Sequence, residues 1–180
     1  MPVDPPGGPG IWVRGPVAVT ETPAPAPMDP QQPRPAGRMA WVGAHGGAGV
    51  TTLAQVFGGV DAGRALPLPA QGGPKTVVLV ARTHASGLRA VSRVLDAFRR
   101  GQEPPGTTLA AVVLVADAPG RLPRPLQQRI KVIGSVVPVH RVPWVPAWRT
   151  GDLTVPPPRQ TADLAALIAQ PDRDHPRSGR

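Results

Sequence analysis

The chain is constrained most by a short apolar run that leads into a glycine-rich loop and ends in two threonines, MAWVGAHGGAGVTT at residues 39–52. This order of residue types predicts a strand, a tight loop and the start of a helix. Glycines such as Gly46, Gly47 and Gly49 adopt the positive-φ conformations that turn backbone N–H groups inward. A helix that begins near Thr51 adds the positive end of its dipole at the same place. The stretch therefore predicts an anion-binding loop.

The same stretch resembles a phosphate-binding loop in which an essential residue is changed. A Walker A box reads G-x-x-x-x-G-K-[ST], and the ParA/MinD partition ATPases use a variant, K-G-G-x-G-K-T-T. HGGAGVTT lies over that variant, so His45 replaces the front lysine and Val50 replaces the lysine that reaches the β- and γ-phosphates. The cofactor-binding residues that the resemblance implies at this loop are His45, Gly46, Gly47, Ala48, Gly49, Val50, Thr51 and Thr52.

Three later stretches are similar to the second half of a ParA/MinD-type domain. They are VVLVARTHASGLRAVSRVL at 77–95, AAVVLVAD at 110–117 and VIGSVVPVHRVPWVPAWRTG at 132–151. The resemblance implies that Asp117 recognises the adenine edge and that the base packs near Pro138. The alternative role of Asp117 is an Asx-turn, which needs no ligand.

The resemblance also indicates what this chain has lost. In ParA/MinD proteins two further strands follow the first helix, and each ends in an aspartate that serves the attacking water or the Mg²⁺ shell. Here residues 60–75 hold three Gly and three Pro, with Asp61 as the only carboxylate. Because Val50 carries no charge for the terminal phosphates, efficient ATP turnover is not expected. Weak binding of ATP or ADP with Mg²⁺ at Thr51 stays open, and an anion beside His45 would favour its charged imidazolium.

Apolar runs alternate with helical spacings along the chain and predict an α/β fold. The predicted strands are 39–42, 76–81, 109–116 and 132–137, and the predicted helices are 51–57, 86–99 with Ser86 as N-cap, 124–130 and 161–169. This alternation predicts three layers around a mostly parallel sheet of about 4–5 strands with P-loop NTPase-like topology. The carboxyl ends of the strands should share one edge. The residues expected there are His45, Thr51, Arg82, Asp117 and Pro138.

Proline and glycine divide the chain into segments. The 27 prolines and 21 glycines make up about a quarter of the residues, a composition at which disorder is expected. We expect a disordered proline-rich arm at 1–38, a degenerate P-loop domain at 39–151, a linker and helix at 152–170, and a disordered tail at 171–180. Trp144 and Trp148 are four residues apart, which predicts a short helix that covers the sheet or stacks on a base or a partner.

The net charge of +9 falls entirely within residues 39–150, which carry 13 Lys or Arg and four acids. This excess favours nucleic acid, an acidic protein or an anionic membrane surface as partner, with Arg82, Arg89 and Arg93 as candidate contacts. Enrichment in arginine through composition and a solvated helix face are the alternatives. The chain has no cysteine, no secretory signal and no apolar run near the ~18 residues of a membrane helix, so we expect a cytoplasmic protein without a membrane span. The four histidines have no metal-ligand spacing, and no metal site is predicted.

Three functions from different classes are compatible with these observations. The first is a ParA/MinD-like pseudo-ATPase that acts as a non-hydrolysing adaptor for a protein partner. The second is an unconventional nucleotide-binding switch that uses His45, Thr51 and Asp117. The third is a basic DNA-binding accessory protein of partition, plasmid maintenance or conjugative transfer, processes in which ParA-like proteins work. The sequence leaves the oligomeric state open.

Overall fold

A computed structural model describes residues 39–169, which form a five-stranded parallel sheet. The strands are β1 (Met39–Gly43), β2 (Val60–Asp61), β3 (Thr76–Arg82), β4 (Thr108–Val115) and β5 (Val139–Val142). The helices are α1 (Val50–Phe57), α2 (Ala85–Arg99), α3 (Arg124–Gly134), α4 (Pro146–Arg149) and α5 (Ala162–Ala169), with 3₁₀ turns at Pro69–Gln71 and Arg159–Thr161. The order across the sheet is β2-β1-β3-β4-β5. The predicted α/β architecture is confirmed, and the expected arm at 1–38 and tail at 171–180 lie outside the described residues.

Helices cover both faces of the sheet and create two apolar cores. On one face, Leu88 of α2 and Ile133 of α3 pack against β1, β3 and β4. On the other face, Leu53 of α1 and Leu164 of α5 pack against the same strands. Because both faces are covered, β3 and β4 are apolar along most of their length, as is usual for central parallel strands. The last helix is therefore part of the same core as the glycine loop.

The first strand and the first helix are joined through a buried tryptophan. Trp41 is 1% exposed, and its Nε1–H donates to the carbonyl of Gly58 at 2.7 Å. A Cβ at Gly59 would lie 2.9 Å from the same nitrogen, and the φ of Gly59 is +92°, so only glycine fits there. The chain thus turns sharply after α1 and returns beside β1 as β2. This strand was not predicted, because residues 60–75 carry too many glycines and prolines to suggest one.

The predicted strand at 132–137 is wrong, because α3 continues through these residues to Gly134. Val132 and Val136 are 59% and 72% exposed, whereas Ile133 and Val137 are buried, which is a helical alternation. A short apolar run alone does not distinguish a strand from a buried helix segment. The fifth strand instead begins after Pro138, whose missing N–H suits the first position of a strand.

The short helix α4 differs in one respect from its prediction. It contains Trp148, but Trp144 precedes it in an extended segment. Among residues 39–169, no helix combines the length and the apolar character needed to cross a membrane.

Candidate functional site

The glycine loop connects β1 to α1 at the edge of the sheet where the parallel strands end. Gly47 has φ +71° and Gly49 has φ +103°, so both occupy the left-handed region that favours glycine. Gly49 is the N-cap of α1, and the first N–H groups of this helix have no acceptor within the helix. A Cβ at Gly46 or Gly47 would meet no atom within 4 Å. The loop therefore presents its backbone to open space at the positive end of α1.

A threonine and an aspartate are hydrogen-bonded beside this loop. Thr51 Oγ1 donates to Asp61 Oδ2 at 2.7 Å, and the backbone N–H of Gly63 donates to Asp61 Oδ1 at 2.8 Å. Asp61 reaches this position because β2 pairs in parallel with β1 and ends next to the loop. Sequence reasoning noted Asp61 as the only carboxylate of its region but did not include it in the site. The signal was an Asp two residues before a Gly, which is typical of a side-chain turn.

His45 connects the loop to β3 through both ring nitrogens. Its Nε2 accepts the backbone N–H of Arg82 at 3.0 Å, and its Nδ1 lies 2.8 Å from the carbonyl oxygen of Gly46. The neutral tautomer with a proton on Nδ1 satisfies both bonds, whereas a proton on Nε2 would break the bond from Arg82. The role of His45 beside a bound anion stays a prediction.

A second histidine begins α2 next to the first. His84 Nδ1 accepts the backbone N–H of Gly87 at 2.9 Å, so His84 is the N-cap of α2 and the prediction of Ser86 as N-cap is wrong. The rings of His45 and His84 lie 5.0 Å apart. A Cβ at Gly87 would collide with the carbonyl oxygen of Arg82 and lie 3.0 Å from His45 Nε2. The loop, the end of β3 and the start of α2 are thus packed without room for a further methyl group.

Arg82 places its guanidinium against the glycine loop. Its Nε donates to the carbonyl of Gly47 at 3.3 Å, and its Nη1 donates to the carbonyl of Ala116 at 3.1 Å. Burial lowers the pKa of Arg82, the nearby Arg149 lowers it further, and Asp117 opposes the shift. Arg82 was predicted as a nucleic-acid contact together with Arg89 and Arg93. Those two arginines are exposed on α2, so the structure separates Arg82 from them.

The remaining predicted site residues have different environments. Val50 is 8% exposed and packs in the core with α1, so its side chain is not presented to a ligand. Asp117 is exposed at the site edge, and its backbone N–H donates to Thr83 Oγ1 at 3.1 Å. Within the described residues, its carboxylate accepts no hydrogen bond, so it forms no Asx-turn. Pro138 precedes β5 and therefore lies at the opposite edge of the sheet, away from the loop. Pro143, which follows β5, lies on the loop's side instead.

A small cavity of about 30 Å³ separates the loop from α4. Its walls include Gly49, Thr52, Arg82, Pro143, Trp148 and Arg149. Trp148 Nε1 is buried without a hydrogen-bond partner. The guanidinium of Arg149 lies 5.0 Å from the ring centroid of Trp144, a cation–π distance. Sequence reasoning identified the tryptophans but not Arg149, because a lone arginine at the end of a short helix carries no pattern.

Beside the glycine loop, the hydrogen-bonded pair of Thr51 and Asp61 offers oxygen ligands for a cation. In the part of the chain that the structure describes, no three His, Cys, Asp or Glu side chains form a group that could hold a metal ion. Mg²⁺ prefers six oxygens and is commonly bound through one or two protein groups plus waters and phosphate oxygens. The two side chains therefore fit a cation that arrives with a phosphate ligand, and do not fit a permanent metal site.

The comparisons with known proteins define a family and no function. A family model described as "Family of unknown function (DUF6668)" matches residues 38–164. This range contains the whole sheet, the glycine loop, Asp61, Arg82 and α4. No curated protein and no solved structure matches the chain.

Proposed function

This chain belongs to the DUF6668 family, whose function is unknown, and from its glycine loop we propose that it is a ParA/MinD-like pseudo-ATPase. In this role the glycine loop binds the phosphates of ATP or ADP weakly, no hydrolysis follows, and the domain serves as an adaptor for a protein partner. The observation that carries the proposal is the 2.7 Å bond from Thr51 to Asp61 beside an open glycine loop whose motif lysine is replaced by Val50.

Phosphate binding is supported by the backbone rather than by the side chains of the loop. Gly47 and Gly49 adopt positive φ, and the free N–H groups at the start of α1 point toward the edge where the strands end. Thr51 and Asp61 add oxygen ligands for the cation that accompanies a nucleotide. A nucleotide is therefore expected to bind only in the presence of Mg²⁺.

Hydrolysis is opposed by one feature of the site. Position 50 holds valine, so the motif lysine that contacts the terminal phosphates during phosphoryl transfer is absent. Asp61 already accepts hydrogen bonds from Thr51 and from the N–H of Gly63, which hold its carboxylate beside Thr51 at the position suited to a cation. The exposed Asp117 lies at the exit of β4, and its predicted role at the base stays a prediction.

Binding and turnover can be tested on the full chain with the same protein preparation. Calorimetric titrations with ATP, ADP and AMP, with and without Mg²⁺, should show saturable Mg²⁺-dependent binding of ATP or ADP and no phosphate release above buffer. Thr51→Val should abolish this Mg²⁺-dependent binding, and Thr51→Ser should preserve it.

Two results would contradict the proposal in different ways. ATP hydrolysis by the native chain that disappears in Thr51→Val would show an active enzyme. Failure of ATP, ADP and AMP to bind at millimolar concentration would show that the loop only connects β1 to α1 and binds no nucleotide. Gly49→Asp is a further control, because an Asp at φ +103° strains the N-cap of α1. This variant should lose nucleotide binding whether or not the native chain hydrolyses ATP.

A groove next to the loop is the surface we propose for the protein partner of the adaptor. A cavity of about 360 Å³ opens beside α2, with Leu66, Val94 and Phe98 among its apolar walls. Its charged side chains are two arginines and one acid, Arg64, Arg93 and Glu103. A partner with an apolar anchor and acidic residues would match this lining.

The second candidate function is DNA binding, which the charge distribution favours. Across residues 39–169, the single salt bridge is Arg99 with Asp96, although basic residues clearly outnumber acids there. Arg89 and Arg93 are exposed four residues apart on α2. An excess of exposed and unpaired arginine favours a polyanionic partner.

A further inference from the structure

Two arginines from different parts of the fold line the same small cavity at the glycine loop. Arg82 comes from the end of β3, and Arg149 comes from the end of α4. They share the walls of the 30 Å³ cavity with Gly49, Thr52 and Trp148. Neither forms a salt bridge within residues 39–169. Two like charges at one cavity repel each other, and no salt bridge within the described residues neutralises either of them.

Three side chains that line this cavity, those of Arg82, Trp148 and Arg149, are hydrogen-bond donors. Arg82 uses Nε and Nη1 on carbonyl oxygens, and its Nη2 lies 3.8 Å from the place where a Cβ of Gly49 would be. Trp148 Nε1 is a buried donor with no acceptor. Buried donors normally have partners, and an orphaned one reduces stability. A bound oxyanion would provide acceptors for the indole and for both guanidinium groups.

We propose that Arg82 and Arg149 together replace the missing loop lysine, and that they hold a phosphate group of the ligand against Gly49 and Trp148. The inference rests on the proposed function, because it assigns the charge that the altered loop itself no longer supplies. A volume of about 30 Å³ admits the oxygens of one anionic group and not a nucleobase, since pockets for larger ligands have several hundred Å³.

The position of Asp117 is consistent with this assignment. Asp117 is near enough to influence Arg82 electrostatically, but it is exposed and forms no salt bridge with it in the described part of the chain. The guanidinium groups therefore stay available to a ligand. Planar guanidinium groups also match the oxygens of a phosphate better than a single ammonium does.

The experiment is a titration of the full chain with ATP, ADP and inorganic phosphate, measured by calorimetry and by tryptophan fluorescence, to which Trp144 and Trp148 beside the cavity contribute. Arg149→Gln should weaken binding by about ten- to a hundredfold, since each lost charge-assisted bond has roughly that effect. Arg89→Gln removes the same charge from the exposed face of α2 and should change the affinity less than about twofold.

Arg82→Gln should weaken binding to the same extent, but it also removes bonds to Gly47 and Ala116. Arg149 makes no such bonds in the described residues. If Arg82→Gln does not fold, Arg149→Gln alone therefore decides whether the arginines hold the phosphate. Trp148→Phe is a second test, because it removes the indole N–H and keeps an aromatic ring beside Phe57. It should weaken phosphate binding.

The outcomes separate this inference from the proposed function. Nucleotide binding that Arg149→Gln and Trp148→Phe leave unchanged overturns the arginine assignment and leaves the pseudo-ATPase intact. Binding of inorganic phosphate that depends on Arg149, without any binding of nucleotide, supports the arginine pair and overturns nucleotide binding. If the native chain binds neither nucleotide nor phosphate, both are overturned.

Discussion

At the scale of single residues, Gly87 shows how closely the candidate site is packed. It lies in the first turn of α2, and the carbonyl of Arg82 and the ring of His45 leave no space for a Cβ. Gly87→Ala should destabilise the fold by about 2 kcal/mol or more, because backbone must move to relieve the overlap. Gly134→Ala is the matched control, since a Cβ at this helical glycine would lie 3.8 Å from Val139 Cγ2. It should stabilise by about 0.5–1 kcal/mol. Urea unfolding of both variants measures the difference, and equal stabilities would contradict the tight packing.

The bond between Thr51 and Asp61 is a second prediction at this scale. Both residues are exposed, so their coupling should be modest, about 0.5–1.5 kcal/mol. A double-mutant cycle of Thr51→Val and Asp61→Ala isolates this coupling in urea unfolding. Strictly additive effects would show that the bond contributes nothing to stability in solution. Thr51→Ser retains the hydroxyl and should resemble the native chain.

At the scale of elements, α5 tests whether the end of the described chain belongs to the core. Leu164 is 1% exposed and packs in the same cluster as Leu53 and Trp148. Leu164→Ala should cost about 2–5 kcal/mol, the usual effect of a cavity in a core. Val155→Ala, at a position that is 37% exposed, should change stability by less than about 0.5 kcal/mol. Similar small effects of the two substitutions on the thermal midpoint would contradict the assignment of α5 to the core.

Elements also show how far the sequence could predict this fold. Strands β3 and β4 and helix α2 were predicted within one or two residues, because central strands are continuously apolar and α2 has a clear helical period. The two edge strands were missed for a common reason. β2 has only two residues, and β5 contains His140 and Arg141, since an edge strand has fewer neighbours and need not be apolar. Because β2 was not predicted, Asp61 was not assigned to the site. Because the last strand was predicted at 132–137, Pro138 was expected at the edge of the sheet that carries the loop, whereas it lies at the opposite edge. Arg149 could not be predicted, because only tertiary packing brings α4 to the loop.

At the scale of the whole molecule, two separate groups of arginines favour anionic partners of different sizes. The cavity between Arg82 and Arg149 suits a single phosphate group. The arginines of α2 lie on the opposite face of the sheet from α1 and α5, because α2 and α3 cover that face. An adaptor can therefore bind a nucleotide at the strand ends and a polyanion on the face of α2 without competition between them.

Because the arginines of α2 lie away from the glycine loop, DNA binding can be tested by removing charges at different places on the surface. The affinity of the full chain for a duplex of random sequence should fall as salt rises, with a slope that loses about 0.9 for each phosphate contact removed. Replacing both Arg89 and Arg93 with Gln should lower that slope measurably. Arg159→Gln removes one exposed charge from the 3₁₀ turn before α5, whose residue Thr161 is buried near the opposite core, and should leave the slope unchanged. If all three arginines reduce the slope equally, the attraction is a diffuse effect of net charge, and the face of α2 is not a binding surface. If the slope is flat, the excess of arginine reflects composition, and the domain works through its loop and its protein partner alone.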